Sequence, residues 1–169
     1  TATSTLKTCL RNLAQAQINI LNADYNATNA DISNWSSASS FYPGTNVGNM
    51  DVQFILATQN HPSGTGLVNG DVAVTFGTDY LSNSDPAATW AGYCNIVVRN
   101  IPFLGYSPLG GSPAAGMTVV IDNNAFANGS GCTGYVPGAP YNLGRTLTHE
   151  LGHFFNLDHT FDACDGANC

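Results

Sequence analysis

Residues 143–156 read LGRTLTHELGHFFN, and Leu157, Asp158 and His159 follow. The stretch predicts a helix over 143–156. Within it, His149-Glu150-Leu151-Gly152-His153 forms an HExxH pattern. Residues four apart share one face of a helix and are separated by about 6 Å of rise, so both imidazoles can reach one metal ion. Glu150 is adjacent to the first histidine, which lets its carboxylate reach a water on the metal rather than the metal itself.

His159 stands ten residues after His149. On an unbroken helix it would lie about 15 Å further along the axis, too far to share the ion. The helix must therefore stop between His153 and His159, and the chain must turn back. Asn156 is the expected turn residue, since asparagine is second to glycine in the left-handed conformation that ends helices. The extended pattern, HExxHxxNxxH, is close to the metzincin form, which has glycine at the turn.

Working outward, residues 4–22 predict a first, amphipathic helix. Leu6, Cys9, Leu10, Leu13, Ala16, Ile20 and Leu21 recur at helical steps, and Ser4 or Thr5 could cap its start. Residues 22–49 are polar and rich in turn signals. Strands are expected at 51–58 (DVQFILAT), 71–76, 94–99 (CNIVVR, read as a central strand), 104–107 and 117–121 (MTVVI). No repeat or linker divides the chain, so 1–169 reads as one domain. The fold class is α+β: one twisted mixed sheet backed by two helices.

Composition narrows the function. Charged residues make up 9% of the 169, and the formal net charge is -7 with only four Lys plus Arg. A nucleic-acid partner needs clustered basic residues, and anionic membrane surfaces need the same, so neither is expected. No apolar run is long enough to span a bilayer. Solubility rests on Asn, Ser, Thr and Gly, a style of surface that fits a secreted protein. Of the five cysteines, Cys9, Cys94, Cys132, Cys164 and Cys169, at least one must be free or paired outside the chain. Cys94, in an apolar run, reads as a buried small hydrophobe. His61 reads as a loop residue without a metal role.

Three of the four histidines fall within eleven residues at ligand spacing. The expected ion is zinc, with His149, His153 and His159 as ligands and a fourth position open. The expected chemistry is zinc-dependent hydrolysis of a peptide bond, with Glu150 as general base. Two other readings stay open. One is a zinc- or peptide-binding fragment without turnover. The other is a structural zinc site, which would require a fourth ligand such as Asp158 or Asp162.

The stretch 142–161, NLGRTLTHELGHFFNLDHTF, resembles the pappalysin family of metzincin zinc endopeptidases. Weaker likeness extends upstream through DVQFILAT, CNIVV, LGYSPLGG and GMTVVIDNNAFANG. The resemblance implies a five-stranded twisted sheet above an active-site helix. It also implies His149, His153 and His159 as zinc ligands and Glu150 as base. Leu104, Gly105, Tyr106 and Ser107 would form the edge strand that binds an extended peptide or protein substrate by strand addition. An ordinary strand and turn is the other reading of that segment. Metzincins carry a methionine turn after the third histidine, whereas Met50 and Met117 both lie upstream here. The lower subdomain is thus expected to be largely missing, with a separate C-terminal fragment as one means of completing the cleft. Some relatives bind calcium in that missing region, and Asp162 and Asp165 could contribute to such a Ca2+ site, although a solvated acidic tail is the favoured reading of them.

Overall fold

The computed structural model describes residues 2–82 and 84–159. Its centre is strand β3, Thr118–Asp122, buried along its whole length. Val119, Val120 and Ile121 have no solvent exposure, as expected of a short apolar run covered on both faces. Strand β1, Asn95–Arg99, lies parallel to β3, from Asn95 opposite Thr118 to Arg99 opposite Asp122. Strand β2, Gly105–Tyr106, runs antiparallel on the other side, with Gly105 opposite Ile121 and Tyr106 opposite Val120. The order is β1-β3-β2.

Helix α1, Ser4–Tyr25, is capped by Thr3, whose Oγ1 accepts from Leu6 N at 3.2 Å. Trp35–Ala38 forms a single turn, α2. Helix α3, Arg145–Phe154, carries the HExxH pattern and packs against β2, β3 and α1. Leu13, Ile18 and Leu21 of α1 join Leu147, Leu151 and Phe154 of α3, with Val119 and Ile121 of β3, in one core.

The α+β class is as expected, and several details differ. The sheet among the described residues has three strands rather than five. Its centre is β3, not the 94–99 strand, which lies at an edge. Residues 51–58 run without a strand ladder. Side chains of α1 bind that backbone instead: Asn22 accepts from Phe54 N (2.7 Å) and donates to Phe54 O (3.0 Å), and Asn26 donates to Val52 O (2.8 Å). Residues 71–76 likewise form no strand, although Ala73 N donates to Ala57 O at 2.7 Å. The cap of α1 falls one residue before Ser4.

Cys9 and Cys132 form a disulfide that ties α1 to the turn before α3. Cys94 is free and exposed rather than buried; it stands just before β1 and lines the cavity between α1 and β1, where nearby protein pushes its thiol pKa up to about 11. Cys164, Cys169, Asp162 and Asp165 lie outside the described residues. No helix among the described residues is long and apolar enough to cross a membrane.

Candidate metal centre and cleft

The start of α3 is fixed by α1. Gly144 precedes the helix with φ 73°. A Cβ there would come within 2.6 Å of Ile20 Cδ1, so both the backbone angle and the close approach require glycine. Gln17, buried on the apolar stripe of α1, donates to Gly144 O at 3.0 Å and accepts from Ala127 N at 2.6 Å. Arg145 pairs with Asp24 (2.9 Å) and Asp31 (2.6 Å). Thr148 donates its hydroxyl to Asp24 at 2.6 Å, and Tyr25 OH donates to Thr148 O at 3.0 Å. His149 follows directly.

The end of α3 is equally constrained. Asn156 adopts φ 68°, the left-handed angle expected of it. Leu157 N donates to Gly152 O (2.9 Å) and Asn156 N to His153 O (2.8 Å). These two bonds form a Schellman closure, which satisfies the last carbonyls and reverses the chain. Gly110 N and Gly111 N, from the loop after β2, donate to His153 O (2.9 Å) and Phe154 O (2.8 Å). A Cβ on Gly111 would stand 2.2 Å from the Phe154 ring, so the loop can reach the helix end only as glycine.

The reversal brings His159 back to the other two histidines. The Nε2 atoms stand 3.0 Å apart for His149 and His159, 3.1 Å for His149 and His153, and 2.9 Å for His153 and His159. His153 Nδ1 lies 2.7 Å from Leu157 O. A carbonyl can only accept, so Nδ1 carries the proton and Nε2 of the neutral ring presents a lone pair. Three corners of a tetrahedron with zinc–nitrogen bonds of about 2.0–2.1 Å are spaced about 3.3 Å apart, so this donor set fits such an ion. Nearby protein and then the charges of His153 and His159 hold His149 below its ordinary pKa, which favours its neutral form. Among the described residues these three histidines are the only such ligand group.

Glu150 is 7% exposed and faces the sheet side of α3. Burial raises its pKa, and His153 and His159 partly oppose the shift. A cleft of about 440 Å3 opens beside it, lined by Leu104, Tyr141, Leu143, Thr146, His149 and Glu150. A larger cavity of about 660 Å3 lies between α1 and β1. None of the three clustered histidines, nor Glu150, lines it, so size does not mark the site.

Of the expected edge-strand residues, Gly105 and Tyr106 form β2, Leu104 lines the cleft and Ser107 follows the strand. Tyr106 donates its hydroxyl to Asp85 at 2.7 Å and accepts from Arg99, which also pairs with Asp85 at 2.9 Å. Its ring is therefore engaged away from the histidines. His61 lies apart, with its Nε2 donating to Asp71 O at 2.9 Å. Gln17, Gly144, Gly110 and Gly111 were not foreseen as supports of the site. A polar residue on an apolar stripe was the one available signal for Gln17.

A helix-borne histidine pair met by a third histidine after a chain reversal is a metzincin-like arrangement. Residues 93–169 match the peptidase family described as "Pregnancy-associated plasma protein-A". Mature mirolysin of Tannerella forsythia, solved in complex with a cleaved peptide, superposes with a TM-score of 0.64 at 29% identity, covering 99% of this chain and 61% of that one. An extracellular metalloprotease of Pyricularia oryzae is 42% identical over 121 residues, 68% of this chain and 39% of the relative. That of Arthroderma otae is 34% identical over 122 residues, 64% of this chain and 41% of the relative. Over residues 93–169 the chain is thus similar to the pappalysin family, as its sequence resemblance implied. It spans between 10% and 41% of the length of the curated relatives it matches.

Proposed function

We propose that this chain carries the zinc-binding and catalytic segment of a secreted endopeptidase. The observation that carries the reading is the convergence of three Nε2 atoms beside a buried glutamate. His149, His153 and His159 would hold the ion. Zinc, when bound, supplies Lewis-acid activation of water and of the scissile carbonyl.

Glu150 takes the proton from the attacking water on a carboxylate oxygen and delivers it to the leaving amine nitrogen. Its raised pKa suits both halves of that exchange. Among the described residues β2 pairs only with β3, so its outer edge would take the backbone of an extended peptide. Leu104, Tyr141 and Leu143 would then contact substrate side chains. Secretion is proposed from the extracellular relatives. Residues 1–169 are proposed as the upper subdomain and active-site helix of one catalytic domain, with a further C-terminal segment completing the cleft.

A second reading, a segment that binds metal and peptide without turnover, makes a different prediction. Cleavage of a mixed peptide pool separates the two. Turnover that a chelator stops and zinc restores is expected. Zinc bound at one ion per chain without cleavage would establish the binding reading instead.

A further inference from the structure

Strand β2 places glycine where its side chain would face α3. A Cβ on Gly105 would stand 2.9 Å from Val120 O, 3.0 Å from Glu150 Cγ and 3.0 Å from Ile121 Cδ1. Carbon pairs in favourable contact stand about 3.5–4.0 Å apart, so the approaches to Glu150 Cγ and Ile121 Cδ1 are too close, and at 2.9 Å so is that to the Val120 carbonyl oxygen. The residue is not among those with positive φ, so conformational freedom does not account for it. Glycine inside a strand weakens it and marks a place where something else approaches closely. Here two of the three neighbours belong to the sheet, and the third is the side chain of Glu150.

We propose that Gly105 is the positioning residue for Glu150. The missing side chain leaves a notch in the rim of the cleft, and Glu150 Cγ seats in it. The notch limits the rotamers of a side chain with three rotatable bonds. It holds the carboxylate on the side of α3 where the substrate edge of β2 runs. A methyl group at 105 either drives Glu150 out of the notch or moves β2 off the helix. Both displace the base from the water it must reach, and a misplacement of about 1 Å can cost on the order of a hundredfold in rate. The catalytic consequence rests on the reading of Glu150 as general base, whereas the contact does not.

The test compares the wild-type chain with Gly105→Ala, Glu150→Ala and the double variant, each loaded with zinc. Metal content, thermal midpoint and peptide hydrolysis are measured for all four. In Gly105→Ala we expect one zinc per chain, KM within about twofold and kcat lowered by roughly ten- to a hundredfold. We also expect its thermal midpoint to fall by several degrees, and much of that fall to disappear when Glu150 is already alanine. An equal fall in both backgrounds would overturn the notch, since Val120 and Ile121 alone would then account for the glycine. Coupled midpoints with unchanged kcat would overturn the positioning role. If Gly105→Ala does not fold, a folded double variant supports the contact and an unfolded one refutes it. A wild-type chain without turnover would favour the binding reading given above, and the melting cycle would still decide the notch.

Discussion

At Asn156 the chain takes φ 68°, and three residues later His159 meets two histidines that it could not reach from a helix. That angle costs an L-residue with a branched side chain about 1–2 kcal/mol more than glycine or asparagine. Asn156→Gly should therefore retain metal, while Asn156→Val should weaken it at least several-fold, as measured by competition with a chromogenic chelator. The turn was legible in the sequence because ten residues of separation forbid a continuous helix, and Asn156 stands midway between His153 and His159 with a side chain suited to the left-handed angle. Glu150→Gln preserves shape and removes the basic oxygen, so it should keep zinc and lose about 10²–10⁴-fold in kcat. Retained activity would reassign the base. His149 also gives a sign for pH. Its folded pKa lies below the ordinary 6.5, so the stability it contributes is present above that value. It is lost as pH falls through the folded value, and bound metal deepens the loss because ligands must be deprotonated. Metal content across a pH series should drop on the acid side of 6.5; full occupancy in moderate acid would count against a three-histidine site.

At the scale of elements, α1 acts as a spine for the site. Cys9, Gln17 and Asp24 recur at steps of eight and seven residues, so they share one face. Each holds something near α3: Cys9 the 132 turn, Gln17 the carbonyl of Gly144, and Asp24 both Arg145 and Thr148. Apolar periodicity revealed the stripe through Leu13 and Leu21, which lie between them. It could not reveal Gln17, because a buried amide is recognisable only once its partners are in place. The same limit explains the misread strand at 51–58. An alternating apolar segment predicts extended backbone. Whether it joins a sheet depends on who supplies its partners, and here Asn22 and Asn26 do. Gln17→Met should leave Gly144 O and Ala127 N buried without partners, at about 1–3 kcal/mol each. Chemical denaturation should show a loss of at least ~2 kcal/mol with the slope unchanged; a smaller loss would mean that α3 is held mainly by its ion pairs.

For the whole molecule, the disulfide and the metal would fasten opposite ends of this spine. Cys9 lies fifteen residues before Asp24, about 22 Å along the helix, and Asp24 is bonded to the residue next to His149. Elements that far apart should contribute independently. Closing a loop of 123 residues stabilises by on the order of 5 kcal/mol in the chain-entropy model. Zinc at a thousand times its dissociation constant adds about 4 kcal/mol through linkage. Together these approach the total stability of an ordinary domain, about 5–15 kcal/mol. The experiment is a two-by-two set of denaturation curves: wild type and Cys9→Ser/Cys132→Ser, each with zinc and with chelator. Additive losses are expected, with the doubly stripped protein largely unfolded in buffer. A loss in the cysteine variant that grows when zinc is present would show instead that the 132 turn shapes the metal centre, and that the two ends of α1 are coupled through the core.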